Sequence, residues 1–93
     1  MIPLCIPNIA GNEWKYIKDC LDTNWLCDGK YIKLFEDAIS KYVGVKHAVA
    51  CANGTAALHI SLILSGVKEN DEVIVPTVTF ISPVNVVKYL NAH

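Results

Sequence analysis

Arginine is absent, and the eight positive charges are all lysines, scattered from Lys15 to Lys88 rather than gathered in a stripe. That tells against a nucleic-acid partner, because phosphate backbones are gripped by clustered Lys and Arg. Charge of either sign is scarce. Asp, Glu, Lys and Arg make up 18% of the chain, against about 25% in an average soluble domain. The net charge is −1, while 53% of residues are apolar and the mean hydropathy is +0.33. A 93-residue chain buries a smaller share of its surface than a longer one. Much of this apolar surface is therefore expected to lie against polypeptide beyond these residues. No C-x-x-C pair occurs: Cys5, Cys20, Cys27 and Cys51 each sit among apolar neighbours. They read as reduced thiols, which points to the cytoplasm. The first ten residues show no basic segment leading into a long apolar core, and Glu13 and Asp19 follow soon after, so no secretory signal is read. Internal repeats, low-complexity tracts and linkers are also missing.

One long stretch without charge is present. From Ala48 to Val67 there is no Asp, Glu, Lys or Arg, a length that can cross a bilayer. Asn53-Gly54-Thr55, His59, Ser61 and Ser65 interrupt it, and a spanning helix would bury all of them in lipid. A buried strand followed by a buried helix accounts for the same residues without a membrane.

Hydrophobic spacing predicts helices over about 12–22, 30–43, 55–65 and 83–92, and strands over about 47–51 and 72–75. Trp14, Ile17 and Leu21 form the apolar stripe of the first helix; Tyr31, Phe35, Ala38, Ile39 and Tyr42 form that of the second, which Gly44 ends. His47-Ala48-Val49-Ala50-Cys51 and Glu72-Val73-Ile74-Val75 read as buried strands closed by Asn53-Gly54 and Pro76. Ser82-Pro83 is a helix start, with the hydroxyl available as a cap and proline tolerated in the first turn. The order helix, helix, strand, helix, strand, helix argues for an α/β domain with a mostly parallel sheet. Since two strands cannot form a sheet covered on both faces, the chain is expected to be the N-terminal portion of a longer protein.

Three places can carry chemistry. Asn53-Gly54-Thr55 opens a helix after a strand, where unpaired N–H groups and the positive end of the helix dipole make an anion site. An ordinary turn capped by Asn or Thr gives the same residues, and on pattern alone it is the commoner case. Phe80 follows the second strand and can share the crevice of Thr55, stacking on a flat ligand, or it is plain core beside Ile81 and Val84. Trp25-Leu26-Cys27-Asp28-Gly29 puts an indole and a carboxylate on a loop, suited to binding; residue type alone favours Trp25 as an anchor for that loop. His47, His59 and His93 lack metal-ligand spacing, and no metal site is read.

Taken in order, these blocks resemble the DegT/DnrJ/EryC1/StrS aminotransferases, which act on nucleotide-linked keto sugars. The blocks are Ile2-Pro3-Leu4, Asn24 to Gly29, Phe35-Glu36, Tyr42 to Ala50, Asn53 to His59, and Asp71 to Pro76 continuing to Thr79-Phe80. Each is weak alone; their common order and spacing over nearly the whole chain is specific. The resemblance implies the beginning of the large domain of a fold type I pyridoxal-phosphate (PLP) transferase. It also implies that Gly54 and Thr55, with Asn53 beside them, hold the PLP phosphate and that Phe80 stacks on the pyridine. Trp25, Leu26, Cys27 and Asp28 then help to shape the sugar-nucleotide site. Two departures stand out: Lys30 follows Gly29 where the family commonly has proline, and Cys27-Asp28 stands where it has serine or threonine. The aspartate that pairs with the pyridine nitrogen and the Schiff-base lysine lie beyond residue 93 in similar proteins, so no catalytic residue is expected here.

For the intact protein the resemblance implies a cytoplasmic homodimer. It uses glutamate as amino donor and a nucleotide sugar as substrate, in surface-polysaccharide or glycan biosynthesis. A PLP-dependent sugar dehydratase of the same superfamily is the alternative, and a non-enzymatic binding or assembly module is a third reading.

Overall fold

Helix stops set the layout of this chain. In the computed structural model, which describes residues 2, 3 and 5–93, four helices follow one another: α1 (Glu13–Asp22), α2 (Lys30–Val43), α3 (Gly54–Leu64) and α4 (Ser82–Tyr89). Leu4 of the Ile2-Pro3-Leu4 block lies outside the described residues.

Each helix is followed by a residue in the left-handed region: Asn24 (φ 54°), Gly44 (77°), Gly66 (82°) and Asn91 (53°). After each, the next N–H folds back onto the last turn. Trp25 donates to Cys20 O, Val45 to Ser40 O, Val67 to Leu62 O and Ala92 to Val87 O. This Schellman arrangement satisfies carbonyls that the helix leaves open. Gly44 and Gly66 take the conformation without a Cβ penalty, and asparagine is the side chain that tolerates it best after glycine.

The chain divides into two compact units, Met1–Ala50 and Cys51–His93. In the first, the Tyr16 ring of α1 lies 5.0 Å from the Tyr31 ring of α2, tilted by 51°. Ala50 N–H donates to Glu36 Oε1 at 2.8 Å. In the second, α3 packs on α4. The His59 ring meets Tyr89 edge-on at 5.5 Å, and Val86, Val87 and Ala92 are the buried apolar residues.

The sheet expected from the sequence is not formed among the described residues. Segments 47–51 and 72–75 form no strand among the described residues, and they are not buried: Val49 is 81% exposed and Ile74 is fully exposed. The reason is pairing. An extended segment becomes a strand only through a ladder of bonds to a neighbouring strand, and no full ladder is formed among the described residues. One bonded step of a parallel ladder is nevertheless present. His93 N–H donates to Asp71 O at 2.8 Å and Val73 N–H to His93 O at 2.7 Å. That is the pattern of a parallel pair with Glu72 opposite His93, and α4 lies in the connection between them. Helix α3 is likewise not enclosed: α4 covers one side, while Ile60, Ile63 and Leu64 stay largely exposed. No helix in the described residues is long and apolar enough to cross a membrane.

Candidate cofactor site

The start of α3 has the properties of an anion-binding helix end. Asn53, in an extended conformation, is the N-cap, and its Oδ1 accepts Ala56 N–H at 2.9 Å. Ala57 N–H returns to Asn53 O at 3.1 Å. Two first-turn donors are left over: among the described residues neither Gly54 N–H nor Thr55 N–H has an acceptor. No acidic residue sits in the first turn, and a Cβ built on Gly54 would meet no atom within 4 Å. The approach at Gly54 is therefore open, and no acidic residue of the first turn opposes an anion.

Asn53 is thus the capping residue that the plain turn reading requires, and its side chain is engaged in that role. Thr55 is not a cap. Its hydroxyl, half-buried, donates to Ser82 Oγ of α4 at 2.9 Å. Ser82 in turn does not cap α4, as its Ser-Pro context suggests; Ile81 occupies the N-cap position, with no side-chain hydrogen bond. Sequence spacing gives no sign of the Thr55–Ser82 contact, because it depends on how α3 packs on α4. Phe80 lies two residues before Ser82 and is 87% exposed.

In the other unit, residues 23–29 link α1 and α2 around a cleft of about 550 Å³ lined by Trp25, Leu26, Asp28, Gly29 and Lys30 among others. Trp25 is anchored through its backbone to Cys20, and its ring lies over Gly29. A Cβ on Gly29 would fall 2.6 Å from Trp25 Cδ1, so the glycine is what lets the indole lie there. Asp28 adopts a left-handed φ of 52°, and Cys27 is exposed and free. Trp25 is tethered to the loop through its backbone and is 59% exposed.

Asp19 ties the two ends of this loop together. Its Oδ2 accepts from Lys30 Nζ at 2.7 Å and from Tyr31 OH at 3.1 Å. The hydrogen bond from Lys30, then that from Tyr31, holds the Asp19 carboxyl below its ordinary range, and Asp19 raises the Lys30 ammonium. Partial desolvation, then the bond to Asp19, raises the Tyr31 hydroxyl. With the folded pKa of Asp19 depressed, its contribution is present above the unfolded carboxylate value and is lost as pH falls through the lowered one. With that of Lys30 raised, its contribution is lost as pH rises through the raised value. In an NMR titration of the full-length protein, the Asp19 carboxyl is expected to titrate below a free carboxylate and to move upward in Lys30→Ala. An unmoved Asp19 would show that the pair is not formed in solution.

Comparison with known proteins adds the family. Residues 7–93 match the model of the DegT/DnrJ/EryC1/StrS aminotransferase family. The chain belongs to that family. It is 47% identical over 92 residues to a GDP-perosamine synthase of Caulobacter vibrioides, covering 98% of this chain and 25% of that protein. It is 34% identical over 91 residues to a UDP-4-amino-4-deoxy-L-arabinose–oxoglutarate aminotransferase of Shewanella sediminis, covering 98% and 24% respectively. A crystal structure of a GDP-4-keto-6-deoxymannose-3-dehydratase with a trapped PLP-glutamate geminal diamine superposes with a TM-score of 0.83. That match has 26% identity and covers 97% of this chain and 25% of that one. The chain thus spans about a quarter of the length of the relatives it matches.

Proposed function

We propose that the intact protein is a PLP-dependent aminotransferase that transfers an amino group from glutamate to a nucleotide-linked keto sugar. A GDP-linked sugar is favoured by the 47% identity to a GDP-perosamine synthase. The observation that carries the cofactor assignment is the start of α3, where two free N–H groups and a threonine hydroxyl meet, with an open approach at Gly54 and no acidic residue in the first turn. This donor set fits a phosphate dianion.

When bound, PLP supplies the electron sink for amino transfer. The residues of this chain bind and orient. Gly54 and Thr55 N–H groups and the Thr55 hydroxyl hold the phosphate, while Asn53 keeps the first turn of α3 fixed. Phe80 offers its exposed ring as a stacking face for the pyridine. Trp25, Leu26, Cys27 and Asp28 border the sugar nucleotide, with Trp25 as the rigid element. Segments 47–51 and 72–75 become strands of a mostly parallel sheet once neighbouring strands are present, a reading supported by the bonded step between Glu72 and His93. As the family resemblance implies, the intact protein is read as a cytoplasmic homodimer.

The test is an assay of the full-length protein with glutamate and a panel of nucleotide-linked keto sugars. An amino sugar formed with one 2-oxoglutarate per turnover is the expected result. The dehydratase likeness supports a second reading, loss of water from the sugar. A deoxygenated sugar without retained nitrogen would replace the first reading by the second.

Thr55→Ala is expected to weaken PLP binding about 10-fold, the loss of one charge-assisted hydrogen bond. Titration of the apoenzyme reads this directly, and an unchanged affinity would remove Thr55 from the phosphate site.

A further inference from the structure

Helices α3 and α4 belong to one unit, and a half-buried hydroxyl from each first turn meets the other: Thr55 Oγ1 lies 2.9 Å from Ser82 Oγ. Ser82 makes no cap bond to its own helix, although serine at a helix start ordinarily does so. Its recorded side-chain partner is Thr55.

A hydroxyl carries one proton and two lone pairs. As the pair stands, Thr55 gives its proton to Ser82. An anion at the start of α3 attracts the Thr55 proton to itself, and Thr55 Oγ1 then becomes an acceptor for the Ser82 proton. The result is a chain from Ser82 O–H to Thr55 O–H to a phosphate oxygen, in which each bond polarises the next. The contact also fixes the side-chain rotamer of Thr55, since a helical threonine otherwise divides between two.

We propose that Ser82 is a positioning residue for the cofactor phosphate, acting through the Thr55 hydroxyl. This rests on the PLP reading above. It assigns to Ser82 a role that its Ser-Pro sequence context disguises as helix capping.

The experiment is a double-mutant cycle on the full-length protein. PLP affinity is measured by titrating the apoenzyme, the bound phosphate is followed by ³¹P NMR, and the melting temperature of each apoenzyme controls for folding. Ser82→Ala is expected to weaken PLP about 3- to 10-fold, the range of one supporting hydrogen bond, and to shift the ³¹P resonance. Ser82→Thr is expected to restore both. In a Thr55→Ala background, Ser82→Ala is expected to have no further effect on affinity. If Thr55→Ala weakens PLP but Ser82→Ala does not, the Ser82 proposal is overturned while the phosphate site stands. An equal loss from Ser82→Ala in both backgrounds overturns it as well, because Ser82 then acts independently of Thr55. If Thr55→Ala itself is silent, the phosphate site and the Ser82 proposal fall together.

Discussion

Gly54→Asp is expected to leave the intact protein folded and to weaken PLP by at least about 100-fold. The two halves of this expectation have separate causes. A Cβ at position 54 meets nothing within 4 Å, and the backbone there is not left-handed, so the new side chain finds room. A carboxylate in the first turn also interacts favourably with the helix dipole, so the melting temperature of the apoenzyme should hold or rise. The same carboxylate would sit where the phosphate binds. Two like charges about 4 Å apart repel by about 4 kcal/mol at an effective dielectric of about 20, which leaves the 100-fold figure conservative. Differential scanning fluorimetry of the apoenzyme and a PLP titration read the two halves. Normal PLP affinity in Gly54→Asp would place the phosphate elsewhere.

Gly29→Ala is expected to act on the sugar and leave the cofactor alone. Gly29 has an extended backbone, φ −88° and ψ 175°, which any residue adopts. The substitution therefore brings no backbone strain, only a methyl group 2.6 Å from Trp25 Cδ1. The indole has to move, and with it one wall of the cleft. A displacement of about 1 Å in a positioning group costs on the order of 10- to 100-fold in kcat/KM. The loss should appear with nucleotide-sugar substrates while PLP affinity stays at the wild-type value. Unchanged kinetics would mean that Trp25 serves only to pin the loop.

What the sequence makes legible follows the range of the forces involved. Gly44 and Gly66 can be read as helix stops because glycine is the default residue at positive φ. Asn24 and Asn91 have the same geometry, yet asparagine is also common in caps and loops, so neither is identifiable from composition. The Asn53-Gly54-Thr55 turn is legible as a helix start, and its block order with Thr79-Phe80 is what leads to the family. The strands are not formed among the described residues. Periodicity shows that 47–51 and 72–75 suit a buried sheet, but pairing is supplied by neighbouring chain, and alternation alone does not say where that chain lies. The Thr55–Ser82 contact is invisible for the same reason: 27 residues separate its partners, and only the packing of α3 on α4 joins them.

Every role proposed for this chain depends on the PLP phosphate sitting at the start of α3. A crystal structure of the full-length protein soaked or purified with PLP tests this directly. It is expected to show phosphate oxygens within hydrogen-bonding distance of Gly54 N, Thr55 N and Thr55 Oγ1, with the Phe80 ring against the pyridine. PLP bound with its phosphate held by other residues, and the Gly54 and Thr55 donors facing protein or solvent, would contradict it.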